Sequence, residues 1–163
     1  MKVLIVSDTH RHNDNLNKVL RKVKPLDMVI HCGDAEGTED EIRMESECPL
    51  YIISGNNDFF SLLSKEIELS IENYKAFITH GHMYGVSMGL ERLVEEAKLR
   101  SADIVMFGHT HRPMIDIRDD LVILNPGSLS YPRQDGKFPT YILMEIDKYG
   151  DAHYTLEYLD TTL

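Results

Sequence analysis

The stretch "KVLIVS" at residues 2–7 decides the fold class, and it runs directly into "SDTH" at residues 7–10. Its residues are mostly apolar and β-branched, with no alternation of polar and apolar side chains. That pattern is typical of a strand buried on both faces, as in a parallel sheet that is covered on each side. The stretch therefore predicts an α/β fold whose first strand is buried and ends at polar side chains.

Apolar periodicity predicts the remaining elements. The first third of the chain alternates strand and helix, which is the order of a parallel α/β sheet. A turn signal at Glu72–Asn73 indicates an antiparallel hairpin instead. We expect one α/β domain over residues 1–163, with two mixed sheets packed face to face and helices outside. The predicted helices cover residues 13–24, 38–47 and 86–100, and the predicted strand segments cover residues 27–31, 50–54, 66–80, 103–107, 113–125 and 140–159.

Length and composition limit the classes of function. A chain of 163 residues is long enough to bury roughly 70% of its unfolded surface without disulfides. Lys+Arg 17 against Asp+Glu 27 gives a net charge of −10, which disfavours nonspecific nucleic-acid binding and anionic membranes. Two cysteines form no disulfide framework, and no apolar run reaches the length of a signal peptide or a membrane span. We expect a soluble cytoplasmic protein.

Side chains that bind metals follow five of the predicted strands. The carboxyl ends of parallel strands meet at one edge of a sheet, so these side chains are expected to gather there. Any one of them alone is as often a turn cap or a buried histidine as a ligand, but five strand ends of the same form indicate one shared site. The segments are "SDTH" (7–10), "CGDA" (32–35), "GNND" (55–58), "THGH" (79–82) and "GHTH" (108–111), and the candidate ligands are Asp8, His10, Asp34, Asn56, His80, His109 and His111.

Glycine stands beside the candidate ligand in four of these segments, at Gly33, Gly55, Gly81 and Gly108. Glycine permits a positive φ and a close approach of the backbone. Alternate residues of a straight strand face opposite sides. We therefore predict a bend at Gly108 that lets both histidines of "GHTH" point to the same place.

The ligand types limit the metal. Imidazole, carboxylate and amide oxygen without thiolate fit Mn²⁺ first, with Fe, Ni²⁺, Zn²⁺ and Co²⁺ as alternatives, and the histidines argue against Mg²⁺ or Ca²⁺ alone. Seven ligands exceed the need of one ion and fit two divalent ions that share a carboxylate. Two such ions outweigh the negative charges of Asp8 and Asp34, so we expect an anionic substrate, above all a phosphate ester.

The order of these motifs resembles that of the calcineurin-like metallophosphoesterases. The motifs that carry the resemblance are D-x-H at 8–10, G-D at 33–34, G-N-x-D at 55–58, H-G-H at 80–82 and G-H-T-H at 108–111. With "NPGS" at 125–128 and "SYPR" at 130–133, they look most like the family's compact bacterial and archaeal phosphodiesterase branch, over nearly the whole chain. The resemblance implies a four-layer α/β/β/α sandwich.

The resemblance also implies a role for each ligand. Asp34, Asn56 and His109 are expected to take part directly in catalysis. The expected reaction is hydrolysis of a phosphate diester by a hydroxide that bridges the two ions and attacks phosphorus in line. The first metal would be held by Asp8, His10 and His111 and the second by Asn56, His80 and His109, with Asp34 as the bridge.

The sequence departs from the family at Asn57, where many members carry a histidine that is thought to protonate the leaving group. A carboxamide does not titrate in the useful range, so Asn57 is kept only as a candidate for substrate binding. His12 and His82 are the alternative acids, although each could equally be a solvated loop histidine or a support for a ligand. Asp58 is expected to hydrogen-bond a ligand histidine and orient it.

Other residues beside the motifs are candidates for substrate binding. Arg11, Arg112 and Arg133 flank motif loops and could grip phosphate oxygens with paired hydrogen bonds. Each could equally be a solvent-exposed arginine. Ser128 is expected to line the site on a tight turn that Gly127 permits.

Two other functions stay open. A metal centre of this kind also fits a phosphomonoesterase, and the retromer subunit that shares the fold resembles these enzymes yet acts mainly as a protein-binding scaffold. A competent residue at every ligand position favours an enzyme. The apolar stretch "FFSLL" at 59–63 indicates a subunit interface of a homo-oligomer, a lid that faces the substrate, or burial within the monomer.

Overall fold

The computed structural model describes residues 1–160, which fold into two sheets and three α-helices. The helices are α1 (Asp14–Val23), α2 (Glu39–Ser46) and α3 (Glu91–Leu99), and a 3₁₀ turn covers His82–Tyr84. The strands are β1 (Lys2–Val6), β2 (Met28–His31), β3 (Leu50–Ile52), β4 (Glu66–Ile71), β5 (Tyr74–Thr79), β6 (Ile104–Met106), β7 (Met114–Ile117), β8 (Val122–Asn125), β9 (Thr140–Ile146) and β10 (Ala152–Tyr158).

The first sheet is built around β1, the strand that the apolar stretch predicts. Its strand order is β10-β9-β1-β2-β3, in which β1, β2 and β3 are parallel and β9 and β10 antiparallel to their neighbours. Val3 and Ile5 pack between the two sheets, whereas Leu4 and Val6 pack against the residues of α1. All four are fully buried, which is why the stretch shows no polar alternation.

The second sheet has the strand order β4-β5-β6-β8-β7. The pairs β5–β6 and β6–β8 are parallel, and antiparallel hairpins form both edges. One hairpin turns at Glu72 with φ 52°, where the turn was predicted. The central strand β6 is buried along its whole length.

Three apolar clusters define the layers of the protein. One lies between the sheets and includes Ile30, Ile78 and Ile142. The second joins the first sheet to α1 and α2, and the third joins the second sheet to α3 through Leu93 and Ala97. This four-layer α/β/β/α arrangement confirms the predicted fold class.

Two predictions differ from the structure. Helix α3 begins at Glu91 instead of residue 86, because the 3₁₀ turn ends at Gly85 with φ 65° and the next residues include serine and Gly89, which favour helices poorly. The "FFSLL" stretch is not buried in the monomer, since Phe60 and Leu62 are fully exposed.

None of the helices in residues 1–160, the longest of which has 10 residues, has the length and apolarity needed to cross a membrane.

Candidate metal centre

The five polar segments follow strands that end at the same edge of the sandwich. Asp8 and His10 follow β1, Asp34 follows β2 and Asn56 follows β3, all in the first sheet. His80 follows β5, and the "GHTH" histidines follow β6 in the facing sheet. The side chains therefore meet across the gap between the two sheets.

The bends at this edge occur at the candidate ligands themselves. A non-glycine residue with positive φ, in the left-handed region, costs of order 1–3 kcal/mol. The surrounding structure therefore has to hold each of these ligands in that conformation. Backbone hydrogen bonds do so, from Asp8 N–H to Gly33 O at 3.0 Å and from His10 N–H to Asp34 O at 2.9 Å. The residues with positive φ are Asp8 (55°), His10 (46°), Asp34 (59°), His109 (67°) and His111 (55°).

Gly108 acts differently from the prediction. The backbone turns at His109 and His111, whereas Gly108 allows close approach between the two sheets. A Cβ at Gly108 would overlap the Ser7 hydroxyl and lie 2.6 Å from Asp8 Oδ2. Gly55 likewise allows close approach, but between neighbouring loops of the first sheet, because a Cβ there would overlap the Asp34 carboxylate. Gly33 and Gly81 do adopt positive φ, of 100° and 98°.

The first group of ligand atoms consists of Asp8, His10 and His111. Asp8 Oδ1 lies 3.1 Å from His111 Nε2 and 3.8 Å from His10 Nε2. The two Nε2 atoms are 3.2 Å apart. The three ligand atoms lie within 4.8 Å of one another, a spacing that suits a single metal ion.

The second group shares Asp8 and adds Asp34 and His80. His80 Nε2 lies 3.3 Å from Asp34 Oδ2 and 3.8 Å from Asp8 Oδ1. Asp34 Oδ2 is also 3.8 Å from His10 Nε2, so it lies between the two groups as a bridge requires. His109 and Asn56 stand beside them, with His109 Nδ1 2.9 Å from Asn56 Oδ1.

Three of the histidines have only one ring nitrogen free for a ligand. In each ring Nδ1 faces an oxygen that can only accept a hydrogen bond, so Nδ1 carries the proton and Nε2 of the neutral ring offers a lone pair. Nε2 atoms in this state repel one another unless a cation lies between them, which fits a metal centre. The acceptors are Glu36 Oε1 for His10 at 2.6 Å, Tyr131 O for His111 at 2.6 Å and Cys32 O for His80 at 2.7 Å.

Charge and burial also fit a bound cation. Asp8 Oδ1 and His80 Nε2 are buried and form no hydrogen bond of good geometry, although His111 Nε2 and Asp34 Oδ2 lie 3.1 and 3.3 Å from them. Burial opposes ionisation of Asp8, but His111 and His80 outweigh it and hold the pKa of Asp8 below its usual range. Burial likewise opposes ionisation of Asp34, yet His80 and Asn57 hold the pKa of Asp34 well below its usual range. Two buried carboxylates therefore stay charged, and such charges need cationic partners.

A proton on His80 can substitute for one such cation. Burial lowers the pKa of His80, but the carboxylates of Asp34 and Asp8 reverse this and raise the pKa to about 8. Without a metal, these carboxylates therefore favour the protonated form of His80. A metal ion would release that proton on binding, because imidazole coordinates in its neutral form.

The proposed substrate residues divide into two groups. Arg11 and Arg133 line a cleft beside His10 and His111, whereas Arg112 is not among the residues that form this cleft in the described chain.

Ser128 is fully buried, and its hydroxyl donates to Asp8 O at 2.8 Å and accepts from the N–H of Tyr131 at 2.8 Å. The expectation that Ser128 lines the site was therefore wrong, because its hydroxyl braces the loop instead.

Asn57 and Asp58 both support Asp34. Asn57 donates from its backbone N–H to Asp34 Oδ1 at 2.9 Å and from Nδ2 to Oδ2 at 2.7 Å. Asp58 was predicted to orient a histidine. Its carboxylate accepts instead from the N–H groups of Asp34, Glu36 and Gly55, at 2.8, 2.6 and 2.7 Å. It thus joins the loops after β2 and β3.

The two candidate general acids differ in environment. His12 is exposed and lines the cleft beside His10. His82 is partly buried, with its ring centroid 6.0 Å from that of His109. Burial and the neighbouring His80 lower the pKa of His82, which disfavours the protonated form that a general acid requires.

Three supporting residues were missed in the sequence. Glu36 orients His10, and the buried Asn125 donates to Gly108 O at 3.0 Å and so holds the "GHTH" turn. His31 lies 3.0 Å from Thr9 Oγ1, and burial lowers its pKa to about 4, so it stays neutral. An acidic residue two positions after the ligand Asp34 was the one available signal for Glu36.

Comparison with known proteins identifies the family. Residues 1–149 match the family model described as the calcineurin-like phosphoesterase superfamily domain. A Bacillus subtilis protein named probable metallophosphoesterase YsnB is 33% identical over 134 residues, which cover 82% of this chain and 78% of that protein. A Methanocaldococcus jannaschii protein named phosphodiesterase MJ0936 is 32% identical over 144 residues, covering 78% of this chain and 83% of that protein.

Solved structures agree with this assignment. A conserved protein from Streptococcus pneumoniae, described as a predicted phosphoesterase, has a TM-score of 0.81 at 28% identity, covering 97% of this chain and 88% of that chain. Vps29 from Entamoeba histolytica complexed with zinc has a TM-score of 0.75 at 21% identity, covering 97% and 99%, and shows the fold alone. With ligand-type residues at all five strand ends, the chain belongs to the calcineurin-like phosphoesterase superfamily.

Proposed function

We propose that this protein is a divalent-metal-dependent hydrolase of phosphate diesters in which residues 1–163 act as one domain. The observation that supports this most directly is the convergence of three imidazole Nε2 atoms, from His10, His80 and His111, on the buried carboxylates of Asp8 and Asp34. The choice of a diester rests on the name of one relative, phosphodiesterase MJ0936.

We assign the residues to two ions, and this is supported by Asp34 Oδ2, which lies 3.3 Å from His80 Nε2 and 3.8 Å from His10 Nε2. Mn²⁺ is the first ion to test, because imidazole and carboxylate donors without thiolate suit it. Two bound divalent ions would supply Lewis acidity that lowers the pKa of water toward about 7 and would offset charge on phosphoryl oxygens. One ion would bind Asp8, His10 and His111 and the other Asn56, His80 and His109.

Water is the proposed nucleophile. Ser7 and Thr9, the hydroxyl residues on either side of Asp8, are 1% and 0% exposed and cannot reach a substrate. Arg11 and Arg133 line the adjoining cleft; Arg11 is proposed to bind a non-bridging oxygen of the phosphate that is hydrolysed, and Arg133 another phosphate oxygen of the substrate. Since Asn57 cannot donate a proton to the leaving group, the exposed His12 in the same cleft is the proposed donor.

The test is hydrolysis of bis(p-nitrophenyl) phosphate by the Mn²⁺-loaded protein and by Asp34→Asn. We expect Asp34→Asn to reduce metal-dependent turnover to background, because the substitution removes the charge of the proposed bridge. Asp119→Asn, in the exposed turn between β7 and β8, is the matched control and should keep full activity. Equal turnover by Asp34→Asn and wild type would refute the proposed centre.

Two alternatives are separated by the same assay. Faster turnover of p-nitrophenyl phosphate than of its bis ester would indicate a phosphomonoesterase. Stoichiometric Mn²⁺ binding without hydrolysis of either ester would indicate a protein-binding scaffold, a function that the fold shared with Vps29 permits.

A further inference from the structure

A cleft of about 850 Å³ opens directly beside the candidate ligands His10 and His111. Its far wall is the loop that contains Tyr131, Arg133 and Lys137. This loop is attached to the centre, because Arg133 N–H donates to His111 O at 3.0 Å. A group that extends from a phosphate at the ligands would therefore pass along this wall.

The charges in this cleft are opposite to those of the whole protein. The chain has a net charge of −10, yet the charged side chains in the cleft are those of Arg11, Arg133, Lys137 and Glu36. The Glu36 carboxylate is already engaged, at 2.6 Å from His10 Nδ1 and 3.8 Å from Arg11 Nε. Within residues 1–160, neither Arg133 nor Lys137 forms an ion pair. The cleft therefore offers two uncompensated cations to a ligand.

An aromatic ring lies between these cations and the ligands. The Tyr131 ring contacts the rings of His10 and His12 edge-on, with centroids 5.5 Å and 5.6 Å away. Its backbone is held on both sides, since its N–H donates to Ser128 Oγ at 2.8 Å and its C=O accepts from His111 Nδ1 at 2.6 Å. Tyr131 is nevertheless 48% exposed, so a planar group of a ligand can stack against its ring.

We propose that this cleft, formed by Tyr131, Arg133 and Lys137, is a subsite for a second phosphate of the substrate, joined to the scissile phosphate through a linker that carries a planar ring. The corresponding substrate class is a nucleotide diester that carries a further phosphate. The inference rests on the proposed function for the position of the scissile phosphate, whereas the binding of a second phosphate is independent of turnover.

Binding of two nucleotides to the Mn²⁺-loaded protein tests the subsite without catalysis. Thymidine 3′,5′-bisphosphate and thymidine 5′-monophosphate differ by the second phosphate alone, and calorimetry gives a Kd for each. We expect the bisphosphate to bind about tenfold more tightly, as for one or two hydrogen bonds between charged groups. The preference should fall as NaCl is raised, because both cations are exposed.

Lys137→Gln is the diagnostic variant, since it removes one cation from an exposed loop. The tenfold preference should fall to about threefold or less, whereas Lys148→Gln, in the turn between β9 and β10 at the opposite end of the first sheet, should retain it. Equal affinity of wild type for the two nucleotides would overturn the proposal. So would an identical preference in the two variants.

Hydrolysis separates failure of the subsite from failure of the proposed function. The substrates are the 5′-(p-nitrophenyl phosphate) of thymidine with and without a 3′-phosphate. We expect a higher kcat/KM with the 3′-phosphate, through KM, and a smaller advantage in Lys137→Gln. Turnover without that advantage refutes the subsite and leaves the hydrolase standing. Tighter bisphosphate binding without any turnover refutes the hydrolase and leaves the subsite standing.

Discussion

The metal-ligand group and the cluster around Arg100 contain similar charges but satisfy them differently. Arg100, at the end of α3, donates from Nε to Glu96 at 2.7 Å and from its two terminal nitrogens to Glu68 and Glu66 at 3.3 and 2.8 Å. Its guanidinium also lies 4.3 Å from the centroid of the Phe77 ring. Each of the three guanidinium nitrogens of Arg100 therefore has an acceptor within the protein.

The metal-ligand group, by contrast, is incomplete, because it contains buried polar atoms that are not satisfied within the protein. Asp8 Oδ1 and His80 Nε2 are buried and form no hydrogen bond of good geometry, and the Nε2 atoms of His10 and His111 face each other at 3.2 Å. Ions from outside the chain would complete it. The contrast shows that burial of charge alone does not mark a functional site, whereas buried charge whose partners are missing does.

The largest expected effect comes from removing a ligand charge. Asp8 belongs to both ligand groups, so Asp8→Asn should abolish metal-dependent turnover and the stabilisation that metal binding provides. For wild type that stabilisation is about 2.7 kcal/mol when the metal concentration is 100 times Kd. Calorimetric Tm values with and without Mn²⁺ measure it, and Asp119→Asn is the control. A full Tm increase in Asp8→Asn would show that the group binds no metal.

A smaller effect is expected from Glu36, which touches the metal only through His10. Glu36→Gln keeps an acceptor for His10 Nδ1 but removes the charge that strengthens the ring as a ligand. Mn²⁺ affinity should fall about 10- to 100-fold, the usual loss for such supporting carboxylates. Titration of bound Mn²⁺ checks this against Glu41→Gln, an exposed change in α2. Equal affinities in the two variants would mean that Glu36 does not tune His10.

Arg100→Met tests the cluster around Arg100, whose charges are paired within the protein. The substitution leaves three carboxylates without their shared cation while retaining part of the contact with Phe77. We expect a loss of about 1–2 kcal/mol in the free energy of unfolding, since the side chain is partly exposed to water. Urea denaturation measures it, with the exposed Arg118→Met as control. The Tm increase on Mn²⁺ binding should stay at the wild-type value. A reduced increase would couple the two clusters and break the distinction between them.

The fold was predictable because buried strands are read from local apolar runs. The stretches at 2–7, 27–31 and 103–107 became β1, β2 and β6 within two residues at each end. The start of α3 was not predictable, because the apolar spacing that marks the helix continues through residues 86–90. There Ser87 and Gly89 disfavour a helix, and Gly85, just before this range, adopts positive φ.

At the candidate site, the types of the ligand residues were predictable, whereas the residues that hold the ligands in place were not. The five strand ends come together because topology sends them to one edge. The bend at His109 and the buried position of Ser128 depend on contacts with distant residues, such as Asp8, 101 and 120 residues away in sequence. Glu36 was hidden beside the run of acidic residues that begins α2 at Glu39. Supports of this kind are non-local, so no local pattern reveals them.

The smallest expected effect concerns an aspartate and a histidine that meet in water. His153 Nε2 lies 3.0 Å from Asp147 Oδ2 at the exposed end of β9 and β10, and this hydrogen bond raises the pKa of His153 above its ordinary value of 6.5. Because the pKa is higher in the folded state, the pair stabilises the fold below pH 6.5, and this contribution is lost as the pH rises through the folded pKa. Asp34 and His80 are the same two residue types in burial, where His80 Nε2 lies 3.3 Å from Asp34 Oδ2.

An NMR titration of the His153 ring measures this pKa in wild type and in Asp147→Asn. We expect the variant to return the pKa toward 6.5, while activity and Mn²⁺ affinity stay at wild-type values because the pair lies at the opposite end of β9 from the ligands. An unchanged pKa in Asp147→Asn would mean that the exposed contact contributes nothing. That result would sharpen the contrast, because the same two residue types would then perturb each other only where burial removes water.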